Sequence, residues 1–271
     1  MGAALADGTD LEGPEGGRVS LSDHAHRNRE VWSGLADDYR ERGRRNWTER
    51  EISGGIWDVP ERDLAVLGDV AGKDVVELGC GTGYFSAWLA RRGARPVGVD
   101  RSPEQLATAR ELQREHELEF PLVEASAEDV PLPAGSFDLA VSEYGASIWA
   151  DPHLWVPEAA RLLRPGGELV FLANGLLLLL CWAPGAGPAG EELRRDYFDL
   201  HALHDPTDDS TTFGLPYGEW ISLLRSNRLF VEDVVEVQPP EGADPRSWDF
   251  VTLDWARRWP SEEIWKARKA A

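Results

Sequence analysis

A cluster of glycines between a strand-like run and a helix-like run is the part of this sequence best suited to holding a ligand. The run VVEL at residues 75–78 leads into Gly79, Gly81 and Gly83, and a helical pattern begins at Tyr84. Glycines in such a turn let backbone N–H groups approach a ligand, because no Cβ stands in the way. Their spacing is G-x-G-x-G, whereas a dinucleotide site would have G-x-G-x-x-G.

Two carboxylates near this turn indicate which ligand it would hold. Glu77 stands two residues before the first glycine, where its charge would repel a pyrophosphate and attract an ammonium group. Asp100 ends the next strand-like run, where a carboxylate can accept hydrogen bonds from ribose hydroxyls. A nucleoside with a cationic amino-acid tail satisfies both conditions. The sequence therefore predicts S-adenosylmethionine as the ligand and disfavours a nicotinamide dinucleotide.

The elements that must position this turn alternate between strand-like and helix-like patterns. The strand-like runs lie at residues 74–78, 96–100, 122–124, 137–142 and 168–173, and the helical runs between them at 84–92, 103–115 and 157–163. This alternation predicts a parallel sheet with helices on both faces. A later helix at 217–226, a strand at 229–237 and a last strand at 264–269 would complete the sheet.

The regions around this core differ from it in composition. Residues 1–20 are rich in glycine and acidic residues, which predicts a disordered N-terminus. Residues 21–67 are interpreted as an N-terminal helical lid region, with a helix over 23–42 and an irregular stretch from Gly43. Residues 68–271 form the predicted main domain. Its segment 174–216 contains a leucine run and a Gly/Pro patch, which predicts a cap insertion whose leucines form a buried or cap helix.

Charge and composition narrow the possible functions. The 271 residues include 48 acidic and 28 basic side chains, giving a formal net charge of −20. Proteins that bind nucleic acids neutralise phosphates with Lys and Arg, so DNA, RNA and anionic membranes are disfavoured as partners. Two cysteines are too few for a disulfide scaffold or a zinc site, and no metal is predicted. The start shows no signal-peptide pattern, so a cytoplasmic location is expected. The sequence leaves open whether the protein is a monomer or a homodimer.

Four segments resemble the class I S-adenosylmethionine-dependent methyltransferases, in the branch that includes the ubiquinone and menaquinone biosynthesis enzymes. They are VVELGCGTGYFSAWLA (75–90), VGVDRSPEQLATAR (97–110), ASAEDVPLPAGSFDLAVSE (125–143) and EAARLLRPGGELVF (158–171). The resemblance implies an α/β fold with a doubly wound, Rossmann-like sheet of seven strands. It implies the strand order 3-2-1-4-5-7-6 with strand 7 antiparallel, accompanied here by the N-terminal helical layer and the cap.

The resemblance also implies how the cofactor would be held. The loop at residues 79–83 would bind the methionine part and Asp100 the ribose, with adenine between Arg101 and the segment 126–128. Ser126 stands where the family often has an acidic residue, so Glu128 or backbone groups would contact the adenine amino group. The expected cofactor-binding residues are Glu77, Gly79, Cys80, Gly81, Gly83, Tyr84, Phe85, Asp100, Arg101, Ser126, Ala127, Glu128, Ser142, Tyr39 and Trp47.

The segment after the fourth predicted strand, residues 142–147, is expected to contact the methyl acceptor. It lacks the [DN]-P-P-[YF] motif of nucleic-acid amino methylases and the second glutamate of protein-arginine methylases, so a small-molecule acceptor is favoured. A protic acceptor would need a base, and Glu143 and His201 are the candidate catalytic residues. The candidate acceptor-binding residues are Trp57, Tyr144, Trp149 and His153.

Two questions stay open at the level of sequence. A non-catalytic S-adenosylmethionine-binding sensor or partner protein would need the same glycine loop and is the alternative to an enzyme. The atom that receives the methyl group could be O, N, C or S. We also expect residues 23–57 and the insertion 174–216 to cover the donor site together and to become ordered when ligand binds.

Overall fold

The computed structural model describes residues 23–244 and 249–271, and the predicted disordered segment 1–20 lies outside these residues. The helices are α1 (Asp23–Gly34), α2 (Ala36–Thr48), α3 (Glu61–Leu64), α4 (Tyr84–Arg91), α5 (Pro103–Glu115), α6 (Ala146–Trp149), α7 (Pro152–Leu162), α8 (Leu176–Cys181), α9 (Tyr217–Ser226) and α10 (Leu253–Ala256). The strands are β1 (Ser53–Gly54), β2 (Val59–Pro60), β3 (Asp74–Leu78), β4 (Arg95–Asp100), β5 (Leu122–Glu124), β6 (Phe137–Glu143), β7 (Leu163–Asn174), β8 (Ala202–His204), β9 (Thr211–Phe213), β10 (Leu229–Val237) and β11 (Glu262–Lys269).

A seven-stranded sheet in the order β10-β11-β7-β6-β3-β4-β5 forms the centre of the fold. Strands β3 to β7 pair in parallel, whereas β11 is antiparallel to both of its neighbours, β7 and β10. Counted among these seven strands in chain order, the arrangement is 3-2-1-4-5-7-6 with strand 7 antiparallel. The predicted fold class is therefore confirmed.

Two apolar layers cover the sheet because successive residues of its central strands point to opposite faces. On β3, Val75 packs in one layer and Val76 in the other. Helix α4 contributes to the first layer, with Trp88 and Leu89, and helices α7 and α9 contribute to the second. Both faces of the central strands are thus buried, and polar groups can reach a ligand only at the strand ends.

The N-terminal region differs from the predicted single helix over residues 23–42. Two helices replace it, separated at Leu35, and α2 continues through Gly43 to Thr48. The expected break at Gly43 is wrong because this glycine has a packing role inside the helix. A Cβ on Gly43 would lie 2.8 Å from the Oγ1 of Thr82 in the glycine loop, so the missing side chain lets α2 approach that loop.

The insertion at residues 174–216 forms a short helix, α8, and the two-stranded sheet β8–β9. The leucine run does form a helix, and Leu178, Leu179 and Leu180 are at most 5% exposed. No helix within residues 23–244 and 249–271 is long and apolar enough to cross a membrane.

Candidate active site

A cavity of about 290 Å³ lies at the carboxyl ends of β3, β4 and β6, where α/β folds bind their ligands. One side of it is formed by the N-terminal helices, through Trp32, Tyr39 and Arg42. The insertion, which we call the cap from here on (residues 174–216), also lines the cavity, for example through Leu178, Trp182 and Leu203. Both segments that were expected to cover the donor site thus border this cavity, while their ordering on ligand binding stays a prediction.

The glycine loop forms the floor of the cavity, and its backbone explains its composition. Gly79, Gly81 and Gly83 have φ angles of +80°, +51° and +72°, which L side chains rarely adopt. A Cβ on Gly79 would lie 2.6 Å from the backbone N of Ala146, and one on Gly145 would lie 2.3 Å from the carbonyl oxygen of Gly79. Two glycines therefore let the loop and the start of α6 touch. Gly145 has this role although sequence reasoning did not single it out.

Glu77 lines the cavity from beneath the glycine loop. Its Oε2 accepts hydrogen bonds from the backbone N of Ser86, at 2.9 Å, and from the Ser86 hydroxyl, so it also satisfies the first turn of α4. Burial raises the pKa of Glu77 from about 4.5 to about 8, and the nearby carboxylates of Glu143 and Asp100 add to the effect. A cationic ligand would favour the ionised form of this group.

Asp100 connects the end of β4 to the glycine loop. Its Oδ2 accepts a hydrogen bond from the Gly81 backbone N at 2.8 Å, and its Oδ1 accepts one from the Ser102 N at 2.9 Å. Burial raises the pKa of this carboxyl, and the two backbone N–H groups partly offset the rise. Each carboxylate oxygen retains a second acceptor position, as binding of a ribose diol would require.

Glu143 lies at the end of β6, on the cavity wall beside the loop. Its Oε2 accepts a hydrogen bond from the Tyr84 hydroxyl, and its Oε1 accepts one from the backbone N of Gly55 at 3.0 Å. Burial raises the pKa of Glu143, which makes its carboxylate a stronger base than an exposed one. This candidate base therefore borders the cavity in a fixed orientation.

Tyr144 also lines the cavity and has an unusual backbone conformation. Its φ angle is +49°, which is rare for an aromatic residue and is associated with functional sites. The chain turns here from β6 into Gly145 and α6, while the Tyr144 ring packs against both apolar layers of the core. Trp149, at the end of α6, borders the same space. Tyr144 and Trp149, both predicted to contact the methyl acceptor, therefore line the same cavity.

Arg101, Ser126 and Ala127 line the end of the cavity beyond Asp100. The Arg101 guanidinium donates to the backbone oxygens of Ala25 and Trp149, both at 3.1 Å, and so joins α1 to α6. Glu128 is not among the described residues that line the cavity. Its Oε1 instead lies 2.9 Å from the Nε2 of His24 and accepts from the Asp151 N. The Glu128 carboxylate thus already has protein partners, and its contact with adenine stays a prediction.

Two tryptophans that were expected to touch ligand are packed elsewhere. Trp47 is fully buried behind the loop, where its Nε1 donates to the Thr82 oxygen at 2.9 Å and its ring stacks on Phe120. Trp57 is 3% exposed, and its Nε1 donates to the Ser261 Oγ at 2.8 Å. Because each indole N–H has a protein partner, these rings support the walls and do not line the described cavity.

Three further residues that were expected to contact the cofactor, Gly83, Phe85 and Ser142, are not among the described residues that line the cavity. Gly83 is the N-cap residue of α4, and Phe85 packs in the core next to Trp88. The Ser142 Oγ donates to the Leu78 oxygen at 2.8 Å and accepts from the Ser147 N. These residues hold the loop and α6 in place, and their direct contact with the cofactor stays a prediction.

His153 and His201 are not among the residues that line the described cavity. His153 is exposed near the start of α7, and the His201 Nε2 lies 3.1 Å from the Asp151 Oδ1. Both rings lie next to each other outside this cavity lining, and the roles of His201 as a base and of His153 as an acceptor contact stay predictions without support from this geometry.

Sequence reasoning missed most of the apolar wall of the cavity. The missed side chains are Ile56, Leu178, Leu179, Trp182 and Phe250. The leucine run could have indicated part of this wall, since the apolar side chains of a short helix in a cap need an apolar surface or an apolar ligand to pack against. No local pattern singles out Ile56 or Phe250, because packing between segments distant in sequence brings them here.

The geometry of the loop end fits S-adenosylmethionine. A Cβ on Gly81 would meet only the Oε1 of Gln105, at 4.0 Å, and both residues line the cavity. A side chain at this position would therefore occupy cavity space, which the glycine leaves open for a ligand. The carboxyls of Glu77 and Asp100 border the same space, one suited to an ammonium group and the other to ribose hydroxyls.

Comparisons with known proteins agree with this geometry. Residues 76–171 match the family described as a methyltransferase domain. An uncharacterized methyltransferase of Mycobacterium tuberculosis is 32% identical over 228 residues, which cover 80% of this chain and 81% of that protein. The demethylmenaquinone methyltransferase of Thermus thermophilus is 38% identical over 41% of this chain and 50% of its own length.

A solved structure supports the same assignment. The S-adenosylmethionine-dependent methyltransferase of Mesorhizobium loti has a TM-score of 0.60 and 25% identity, covering 76% of this chain and 95% of that one. The chain belongs to the S-adenosylmethionine-dependent methyltransferases, and its cofactor is S-adenosylmethionine. The matched region spans about half the length of the first curated relatives.

The raised pKa of Glu77 predicts that cofactor binding depends on pH. Below about pH 8 this carboxyl is mainly protonated in the ligand-free protein. The cationic cofactor favours the carboxylate, so binding should release a proton, and affinity should rise between about pH 5 and pH 8. Isothermal titration calorimetry in two buffers of different ionisation enthalpy measures the number of protons released on binding.

Two variants test the assignment of this proton. Glu77→Gln should remove most of the pH dependence and the proton release. Glu262→Gln is the matched control, because burial also raises the pKa of Glu262 to about 8, but its side chain does not line the described cavity. A Glu77→Gln protein that releases as many protons as the wild type would contradict the role of Glu77.

Proposed function

We propose that this methyltransferase acts on a small, mainly apolar molecule that binds between the glycine loop and the cap. The observation that carries the proposal is the continuity of the cavity. The same cavity is lined by the loop, Asp100 and Glu143 and by the apolar wall of Ile56, Leu178, Leu179, Trp182 and Phe250. Apolar walls with a few fixed polar groups are typical of small-molecule sites.

Charge and a relative support an acceptor of this class. The net charge of −20 disfavours a nucleic-acid acceptor, whose phosphates would be repelled. The Thermus thermophilus relative is named a demethylmenaquinone methyltransferase, which supports a small molecule as the acceptor. Both observations agree with an apolar wall that offers few partners for a charged polymer.

The chain's own residues would bind, orient and deprotonate the reactants. S-adenosylmethionine supplies a methyl group bound to a sulfonium sulfur. A nucleophile in line with the carbon–sulfur bond attacks the methyl carbon, and S-adenosylhomocysteine leaves. Glu77 and Asp100 would hold its ammonium and ribose, and the apolar wall would exclude water and orient the acceptor. When the acceptor is a hydroxyl, its proton passes to Glu143, whose raised pKa suits it to act as a base. Tyr84 keeps that carboxylate oriented.

The replacement Glu143→Gln tests this proposal. Loss of the base should lower kcat for a hydroxyl acceptor by about 10²- to 10⁴-fold, while the dissociation constant of S-adenosylmethionine changes by less than about threefold. Methyl transfer from radiolabelled cofactor to a panel of hydroquinones and phenols measures the rate, and calorimetry measures the binding.

Glu263→Gln is the matched control for this experiment. Glu263 is also buried and accepts a hydrogen bond from a tyrosine, Tyr217, and from the Leu176 N, but it does not line the described cavity. Its replacement should leave kcat close to the wild-type value. Equal rates in the Glu143→Gln and wild-type proteins, or transfer to macromolecules alone, would overturn the proposal.

A further inference from the structure

Three side chains that can bind metal ions converge where the cap meets the core. Asp151 and His153 belong to the start of α7, and His201 precedes β8 in the cap. Each offers one ligand atom, and these atoms lie within 4.8 Å of one another. The two imidazole rings are in edge contact, with centroids 5.3 Å apart. None of these three residues is among the described residues that line the candidate active site.

The local structure fixes two of the three groups. Asp151 is the N-cap residue of α7, and its Oδ1 accepts the backbone N–H of His153 at 2.9 Å. The Asp151 N donates to the Oε1 of Glu128 at 2.9 Å, and the same oxygen lies 2.9 Å from the His24 Nε2. The ring of His201 packs on Phe213, with centroids 5.6 Å apart. Such surrounding contacts orient metal ligands in known sites.

The distances suit a single ion. Two ligand atoms bound tetrahedrally to zinc at about 2.0–2.1 Å lie about 3.3 Å apart. The His201 Nε2 and Asp151 Oδ1 are 3.1 Å apart, close to that separation. The ring of His153 is exposed, so rotation of its side chain can bring the third ligand into place. A site with two imidazoles and one carboxylate binds zinc and other divalent transition metals in preference to magnesium.

We propose that Asp151, His153 and His201 bind one divalent transition-metal ion, which fastens the cap to the core at the rim of the cavity. Ala150, which directly precedes Asp151, and Leu203, two residues after His201, both line the cavity. An ion at this point would therefore hold the segment around Leu203 against the start of α7. This inference does not depend on the identity of the methyl acceptor.

Zinc binding to the full chain, with any affinity tag removed, tests the site. Calorimetry with Zn²⁺ should show one saturable site per chain, and the visible absorption of bound Co²⁺ should report nitrogen and oxygen ligands. Single replacements His153→Ala and His201→Ala should each weaken Zn²⁺ binding by at least about tenfold. Excess Mg²⁺ should not compete.

His204→Ala is the matched control. His204 is an exposed histidine of the same cap, 3.6 Å from Asp209 and outside the group of three. Its replacement should leave the Zn²⁺ affinity unchanged. Hydrogen exchange in residues 198–204 should slow when Zn²⁺ is added to the wild-type and His204→Ala proteins, and not when it is added to His201→Ala.

Three results would overturn the proposal. The first is the absence of saturable Zn²⁺ binding, which would leave Asp151 and His201 as a hydrogen-bonded pair. The second is binding that survives the double replacement of His153 and His201. The third is an equal loss of affinity in His204→Ala, which would indicate adventitious binding to exposed histidines.

Discussion

Replacing Gly81 with valine is expected to weaken the binding of S-adenosylmethionine by more than about 100-fold, or ~3 kcal/mol. Two physical effects combine at this position. The φ angle of Gly81 is +51°, which a β-branched residue adopts only under strain. Its side chain would also extend into the cavity, where a Cβ meets nothing closer than the Gln105 Oε1 at 4.0 Å. Isothermal titration calorimetry with S-adenosylhomocysteine measures the loss.

A second glycine separates the two effects. Gly135 has a φ angle of +64°, a Cβ there would meet nothing within 4 Å, and it precedes β6 at the opposite end of the sheet. Gly135→Val therefore introduces comparable backbone strain away from the cavity. It should lower the melting temperature about as much as Gly81→Val while leaving the affinity unchanged. A Gly81→Val protein with wild-type affinity would remove the loop from the cofactor site.

The second large effect is expected for Asp100→Ala, which should weaken cofactor binding by about 1.5–3 kcal/mol, the usual value of hydrogen bonds to a charged group. Glu124→Gln is the control because Glu124 pairs with Asp100 across β4 and β5, is half exposed, and does not line the cavity. Its replacement should leave the affinity unchanged. Calorimetry with S-adenosylhomocysteine measures both variants.

Asp100 also accepts a hydrogen bond from the Gly81 N, so its loss could act through the loop. A ligand that lacks the ribose hydroxyls separates these possibilities, since it cannot lose a contact that it never makes. The 2′,3′-dideoxy analogue of S-adenosylhomocysteine should bind the wild-type and Asp100→Ala proteins with nearly equal affinity. An equal loss for both ligands would show that Asp100 acts on the loop and not on the ribose.

The sheet and the glycine loop could be predicted from sequence because their signals are local. Buried strands such as DVVEL at residues 74–78 and the positive φ angles of the loop leave a pattern within a few residues. The N-cap of α5 is a further local signal, since Ser102, a residue type preferred at that position, accepts the Gln105 N–H. Glu77 and Asp100 follow from the same short segments.

The walls of the cavity could not be predicted in the same way. Trp47 lies in the part of α2 that the sequence did not predict as helix, and Trp57 lies between the short strands β1 and β2, so no recognised periodicity indicated which way either side chain points. Their indole N–H groups donate to a backbone oxygen and to a serine hydroxyl inside the protein, so both rings pack behind the cavity walls and do not face a ligand. Phe250 and Ile56 reach the cavity through contacts between distant segments, and Gly145 is required only because Gly79 touches it.

A crystal structure of the protein with S-adenosylhomocysteine would show directly where the cofactor lies relative to Glu143 and the apolar wall. One continuous cavity is expected to hold the cofactor at the glycine loop and the acceptor at Glu143 and the apolar wall. We predict that the ribose will lie at Asp100, with the amino-acid part over Gly79 and Gly81 and the sulfur directed towards Glu143. A ligand bound outside this cavity, or a sulfur directed away from Glu143, would show that this cavity is not the methyl-transfer site.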